Sequence, residues 1–342
     1  MIKTGKSNLI TDVPGIQIGN TQDQNLRSGV TVIKPDQPAI ASVDVRGGGP
    51  GTRETDALNS DCLVDVVHAV VLSGGSAYGL ESASGVMAYL AEKKIGFELG
   101  GAIIPIVPGA ILFDLLNGGD KNWGKYPPYR EMGYEAAATV SDTFNLGNVG
   151  AGFGGAAGEL KGGLGSASIV FDDFGNEITV GALAAVNSSG SLTIPGCPVM
   201  WAFPFERENE LGGQPNPEIQ KPIDLDFGLD VMMGTNTTLA TVATDAILTK
   251  PQARRIAIMA QDGMARAMRW VHSPYDGDTV FVLATGKKKL SDPDHALAKL
   301  GMLAADCVTR AIARGVYEAE SLGDKECYRS RYGQFLSNQS GA

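Results

Sequence analysis

The sequence predicts an α/β chain of layered sheets with helices on the outside. Three observations carry that expectation. β-prone apolar runs recur from residue 16 to residue 284. Amphipathic helical spacing appears at intervals, most clearly over 250–271. The two kinds of segment do not alternate in a regular βαβ series, which argues against a doubly wound parallel sheet. No internal repeat or compositional break divides the 342 residues, so one domain over 1–342 is expected.

In order, 16–19, 29–33 and 39–45 read as strands separated by turns. Arg46-Gly47-Gly48-Gly49-Pro50-Gly51 is a loop by composition. Residues 66–72 form a continuous apolar run, as one strand buried on both faces would. Ser73-Gly74-Gly75-Ser76 then opens a helix expected to run through 94, with Leu80, Ala83, Ser84, Met87, Ala88 and Ala91 as its packing face. Residues 103–114 look extended, and Pro105 and Pro108 restrict them to an edge or irregular strand. Residues 118–128 read as a loop and 130–142 as a helix. The glycine-dense stretch 147–165 reads as turns. Residues 166–171 and 178–186 read as a hairpin, and the polar, proline-rich 203–229 as an exposed linker loop. Strands are expected at 237–244 and 279–284, and helices at 250–271 and 295–316. The first of those helices turns Ala253, Ile256, Ala257, Ala260, Met264, Ala267 and Met268 inward.

Composition bounds the function. The chain is 43% hydrophobic with a formal net charge of −10, which opposes binding to nucleic-acid phosphates or an anionic membrane. No run approaches the ~18 apolar residues of a membrane span. Residues 1–8 show no apolar core segment and no cleavage signal, so a cytoplasmic location is the expectation. Cys62, Cys197, Cys307 and Cys327 are scattered without a C-x-x-C pair, unlike a disulfide framework. His68, His272 and His295 are too few to favour a His-based metal site or a Ser-His-Asp triad. No metal or organic cofactor is called for.

Several short motifs could carry chemistry, and each has an ordinary reading beside it. Gly150-Ala151-Gly152-Phe153-Gly154-Gly155 matches G-x-G-x-x-G, with Asp172 and Asp173 at the expected distance. No apolar strand precedes it and Lys161-Gly162-Gly163 breaks any following helix, so the dinucleotide context is missing. Gly74-Gly75-Ser76-Ala77-Tyr78-Gly79 is one position off the G-x-S-x-G elbow, and the simpler reading is a helix N-terminus capped by Ser76. Taken alone, Asp276-Gly277-Asp278 is a turn, Lys161 a surface lysine and Asn187 the end of a strand. Asn236-Thr237-Thr238 matches a glycosylation sequon, which is empty without a secretory signal. The same residues set two hydroxyls between a turn and the β-prone 239–244. If the Asn236–Thr237 bond breaks, Thr237 gains an α-amine beside its own hydroxyl. One residue then holds both nucleophile and general base.

Together these stretches resemble the DmpA-like aminopeptidase family of L-aminopeptidase/D-esterases and amidases, β-peptidyl aminopeptidases and nylon-oligomer hydrolases. The matching stretches run in order from Thr11-Asp-Val-Pro-Gly-Ile-Gln-Ile-Gly19 and Val45-Arg-Gly-Gly through Leu72-Ser-Gly-Gly-Ser-Ala-Tyr-Gly-Leu-Glu81. Lys161-Gly-Gly-Leu-Gly-Ser-Ala-Ser168, Asn236-Thr-Thr-Leu and Asp276-Gly-Asp278-Thr complete the set.

The resemblance implies an α-β-β-α sandwich like that of N-terminal-nucleophile hydrolases, with a strand order shared with ornithine acetyltransferase. It implies a precursor that cuts itself between Asn236 and Thr237 into 1–236 and 237–342. It also implies a homo-oligomer, commonly a tetramer, acting on a small peptide or amide through an acyl-threonine intermediate. Thr237 takes the position of the nucleophile and Asn187 that of an oxyanion donor. Lys161 matches a lysine beside the nucleophile, which holds the amine's pKa down or donates to the intermediate. Asp276 and Asp278 match a pair that orients the nucleophile. Tyr78 and Phe113 are candidates for the substrate pocket. Some members carry Tyr at position 113; Phe113 has no hydroxyl, so the oxyanion would rest on Asn187 and backbone donors. Two other functions fit the same resemblance. One is acyl transfer in the manner of ornithine acetyltransferase, with an amine capturing the acyl group. The other is non-catalytic binding of a small molecule on the same fold.

Overall fold

Along the central strands consecutive residues are buried, and odd and even positions face two different cores. The computed structural model describes residues 2–217 and 236–339. Its first strands are β1 (Ile2–Thr4), β2 (Ile16–Asp23), β3 (Ser28–Pro35), β4 (Ala39–Val45), β5 (Gly51–Arg53), β6 (Val66–Val67) and β7 (Val70–Ser73). Then come β8 (Phe97–Leu99), β9 (Ala102–Ile104), β10 (Gly109–Ile111), β11 (Ala156–Ala157) and β12 (Leu160–Lys161). The long strands are β13 (Leu164–Asp173), β14 (Asn176–Asn187), β15 (Thr237–Ala246) and β16 (Thr279–Lys288). The helices are α1 (Ser82–Glu92), α2 (Tyr129–Ala138), α3 (Lys250–Ala267), α4 (Pro293–Tyr317) and α5 (Tyr328–Gln339).

One sheet has seven strands in the order β1-β13-β14-β15-β16-β4-β6, and another has five in the order β2-β3-β7-β10-β5. On β14, β15 and β16, Ala182, Ala184, Ala240, Val242, Val280 and Val282 pack toward α3 and α4. Their neighbours Leu183, Ala185, Leu239, Ala243, Phe281 and Leu283 pack against Ile18, Ile33 and Leu72 of the second sheet. On that sheet's far side Val30, Val32 and Val71 meet Ala83, Val86, Leu90 and Met132 of α1 and α2. Three cores between four layers give the α-β-β-α sandwich. Both sheets are sandwiched, which is why their strands read as continuous apolar runs rather than alternating ones.

Most expected elements are present. The hairpin β13–β14 pairs Leu164 with Ala185 through to Asp173 with Asn176. All seven inward residues assigned to 250–271 are buried. That helix starts at a capping box in which the Thr249 side chain accepts from Gln252 N and Gln252 Oε1 accepts from Thr249 N. It ends at Ala267, where Met268 turns extended.

Four expectations are corrected and a fifth is narrowed. Residues 66–72 are not one strand: β6 pairs with β4 in the seven-stranded sheet and β7 with β3 in the other. Between them His68 leaves both ladders; its backbone N–H donates to the Ile106 carbonyl and its Nδ1 accepts from Ile106 N. Residues 103–114 are irregular as expected, broken at both prolines into β9 and β10, but β10 is not an edge, because it lies between β7 and β5. α1 buries Ala83, Val86 and Leu90 while Ala88 and Ala91 face solvent. Ser76 does not cap the helix; it has φ 51°, and the Gly75 N–H is taken by the Asp114 carboxylate instead. Residues 203–217 are not an exposed linker, since Glu210 is buried against Arg310 of α4. Residues 218–229 of that expected loop lie outside the described residues.

Candidate active site

Thr237 is the first residue of β15, in the interior of the seven-stranded sheet. Register sets it directly opposite Asn187, the last residue of β14. The turn leading into β16 runs alongside, so that Asn236 bridges Asp276 in parallel. Thr237, Asn187, Asp276 and Asp278 are all buried.

Around the Asn236–Thr237 bond the contacts are short and specific. Thr237 Oγ1 donates to the carbonyl oxygen of Asn236 at 2.5 Å. The Gly277 N–H lies 3.1 Å from Thr237 Oγ1 and 3.3 Å from that same carbonyl oxygen. One backbone donor therefore faces both the hydroxyl and the carbonyl. A Cβ on Gly277 would fall 2.6 Å from Thr237 Oγ1, so only glycine brings its N–H this close.

The two aspartates fix this turn from either side. Asp278 Oδ1 accepts from Thr238 N at 2.8 Å, and Oδ2 accepts from His272 N at 2.9 Å and contacts His272 Nδ1 at 2.9 Å. Asp276 Oδ1 accepts from Ser189 Oγ at 3.1 Å and Oδ2 from Ser273 N at 3.0 Å. Burial and the neighbouring Asp278 charge push the Asp276 carboxyl above its usual range, against the pull of the Ser273 and Ser189 donors. The 46–49 loop backs the turn. Arg46 and Gly47 donate to the Asp278 carbonyl, Gly49 to that of Asp276 and Gly48 to that of Ser273. A Cβ on Gly47 would lie 2.3 Å from the Asp276 oxygen, which gives the Val45-Arg-Gly-Gly stretch its physical reason.

The Asn187 side chain is held at both ends. Its Nδ2 donates to the Phe113 carbonyl at 2.9 Å and its Oδ1 accepts from Ala156 N at 3.0 Å. Lys161 lies on β12, which pairs with β11 beside the end of β14. The expectation of a surface lysine is overturned: Lys161 is only 1% exposed. Its Nζ donates to the Gly162 and Gly152 carbonyls at 2.9 and 3.3 Å. Burial lowers its pKa to about 7, while the Asp114 carboxylate works the other way.

The structure thus brings Thr237, Asn236, Asn187, Asp276 and Asp278 together, with Lys161 paired across β11–β12 to Ala156, whose N–H meets Asn187. Phe113 joins through its backbone carbonyl. Tyr78 does not join this hydrogen-bonded set; it is half exposed and packs edge-on against Trp123, ring centroids 5.3 Å apart. Sequence reasoning missed Gly277 N–H, Ser189 and His272. Ser189 follows Asn187 by two, and His272 precedes the Asp276-Gly277-Asp278 turn; nothing in their spacing points to the threonine. Among the described residues no group of three or more His, Cys, Asp or Glu could hold a metal ion. No described helix is long and apolar enough to cross a membrane.

Comparison with known proteins agrees with this architecture. The L-aminopeptidase D-Ala-esterase/amidase of Ochrobactrum anthropi, reported as a variant of the Ntn hydrolase fold, superposes with a TM-score of 0.72 at 19% identity, covering 99% of this chain and 96% of that one. A β-aminopeptidase of Burkholderia sp. gives 0.72 at 23% identity over 100% and 96%. These likenesses identify the fold as that of Ntn-hydrolase aminopeptidases. In sequence, an uncharacterised aminopeptidase of Mycobacterium tuberculosis (strain H37Rv) is 40% identical over 344 residues, covering 95% of this chain and 98% of the relative. The 6-aminohexanoate-oligomer endohydrolase of Paenarthrobacter ureafaciens is 26% identical over 326 residues, covering 94% and 85%. The sequence model of peptidase family S58 matches residues 8–328. The chain belongs to peptidase family S58, the DmpA family, and is a hydrolase of peptide or amide bonds.

Proposed function

We propose that the protein is a self-cleaving N-terminal-threonine aminopeptidase or amidase, cut between Asn236 and Thr237. The observation that carries this reading is the approach of Thr237 Oγ1 to the carbonyl of its own preceding residue, with Gly277 N–H facing both. In the uncut chain Oγ attacks the Asn236 carbonyl carbon. The C–N bond breaks as the C–O ester forms, and the hydroxyl proton ends on the released Thr237 nitrogen. Water then hydrolyses the ester, leaving a carboxylate at Asn236 and a free α-amine at Thr237.

In the mature enzyme that amine, with a reference pKa of ~7.7–8.0, is partly neutral near pH 7 and takes the hydroxyl proton. Thr237 attacks the substrate amide, and water releases the acyl group. Asn187 Nδ2 and the Gly277 N–H are the donors at hand for the oxyanion, each of a kind worth ~3–4 kcal/mol of barrier. Asp276 and Asp278 orient the nucleophile through the turn they hold. Lys161, its pKa lowered by burial to about 7, supplies a proton or holds down the amine's own. The substrate is a small peptide, β-peptide or amide. The protein works as a cytoplasmic homo-oligomer, a tetramer in keeping with the family.

Intact-mass measurement with N-terminal sequencing tests the cut. Two pieces are expected, 1–236 and 237–342, the second of 342 − 236 = 106 residues. Thr237→Ala is expected to stay whole and inactive on aminoacyl p-nitroanilides. Turnover by an uncut chain, or by that variant, overturns the proposal. Product analysis with added amine separates hydrolysis from acyl transfer.

A further inference from the structure

Asp114 is a buried carboxylate with no part in the chemistry described so far. It directly follows Phe113, whose carbonyl accepts from Asn187. Its Oδ1 accepts from Gly75 N at 2.8 Å and its Oδ2 from Ser28 Oγ at 2.6 Å, and Ser28 in turn accepts from Tyr129 OH at 3.1 Å. Glycines wall the pocket. A Cβ on Gly74 would fall 2.2 Å from Asp114 Oδ2, and one on Gly154 would fall 2.6 Å from it. The strand ends, a turn and a loop have therefore left out side chains to admit one carboxylate. The segment 152–154 touches both buried ionisable groups, Asp114 at Gly154 and the Lys161 ammonium at the Gly152 carbonyl.

We propose that Asp114 is a positioning residue for the active site, holding the Lys161 ammonium charged and the Phe113 carbonyl turned toward Asn187. The other charged groups nearby are committed elsewhere. On the Lys161 side, Glu159 and Glu326 pair with Arg331, and Lys325 Nζ donates to the Gly158 carbonyl. On the Asp114 side, Lys121 Nζ is bound by the Leu26 carbonyl and Asn117 Oδ1, and Arg27 by the Asn117 carbonyl. That leaves Asp114 as the carboxylate whose field reaches Lys161. Burial raises the Asp114 pKa, and Ser28, Gly75 and Lys121 oppose it, favouring the charged carboxylate.

This inference rests on the active-site role given to Lys161, but its test reads the coupling without turnover. In full-length protein with 13C-labelled lysines, the Lys161 signal is identified by its loss in Lys161→Met and titrated. Asp114→Asn keeps the shape and removes the charge. The Lys161 midpoint is expected to fall by about one pH unit, a tenfold loss of proton affinity. The self-cleavage rate against pH should move with it, and Asp114→Asn should cause no further move in a Lys161→Met background. An unmoved midpoint, or a profile shift that persists without Lys161, overturns the proposal. Cleavage at another bond would instead sink the threonine mechanism and leave this titration readable. Should Asp114→Asn not fold, Ser28→Ala weakens the charged carboxylate and is expected to lower the midpoint in the same direction; no movement there is equally fatal.

Discussion

A methyl group on Gly277 would occupy the space of the threonine hydroxyl, 2.6 Å from Oγ1. Gly277→Ala is therefore expected to turn Oγ1 away from the Asn236 carbonyl and to leave the chain uncut over days, read on a denaturing gel. The change is small and the residue lies in a turn, so the melting temperature should move little; a normally processed variant would remove Gly277 from the mechanism. Lys161 gives a second prediction. Burial lowers its folded pKa from the ordinary lysine value of 10.5 to about 7. Between these values the unfolded chain holds a proton that the folded chain has released. Stability from this group thus rises as pH climbs from about 7 toward 10.5 and is least below 7. Denaturant melts across that range should show the slope in the native chain and a smaller one in Lys161→Met. The sequence showed Thr237, Asn187, Asp276 and Asp278 as polar residues at the ends of strands, and the resemblance gave them roles. It could not show the burial of Lys161, which depends on the Gly152 carbonyl, nine residues away and folded back over it. Gly277 was hidden for another reason: its functional group is a backbone N–H, which every residue but proline has.

At the scale of elements, legibility followed whether a pattern is local. The inward face of α3 was fully readable, because helical spacing alone fixes which residues share a side. The split of 66–72 between two sheets was not, since the same apolar run suits either sheet and only the distant Ile106 decides where the chain crosses. The inner face of α1 was misread because its residues are small on several sides. α3 and α4 meet through another feature that spacing does not reveal. A Cβ on Gly263 would fall 2.3 Å from the Ala305 carbonyl and 2.8 Å from Val308 Cβ. Alanine is the better helix former by ~1 kcal/mol, yet Gly263→Ala is expected to lower the melting temperature, because two backbones must part. Scanning calorimetry checks this; a rise would show that the helix pair has room.

Across the whole molecule, the layered architecture was legible only coarsely from strands and helices, and the four-layer order came with the resemblance. Residues 203–217 were misread because their polar groups look solvated in sequence. In the fold, Glu210 accepts from Arg310 Nε at 2.5 Å and Nη2 at 2.8 Å and from Asn8 Nδ2 at 2.5 Å. That cluster ties the start of the chain, the segment around Glu210 and α4 to one another. Arg310 is fully buried. Glu210→Ala leaves its charge unpaired and is expected to cost ~3–5 kcal/mol in urea unfolding, more than Glu210→Gln. Equal stability of the two variants would mean that the arginine finds water.

The pairing of β14 with β15 runs from Val180–Thr244 to Asn187–Thr237, and β15 is flanked again by β16. A polypeptide severed before Thr237 would have its fresh end stitched into the middle of a seven-strand ladder, each fragment completing the other's lattice. Such a protein remembers its history. Folding happens once, as a single thread, and the two strands released by heating must then find each other by diffusion. Melting is expected to be retraceable for the uncut Thr237→Ala chain and one-way for the nicked one, a hysteresis created by hydrolysis of one bond.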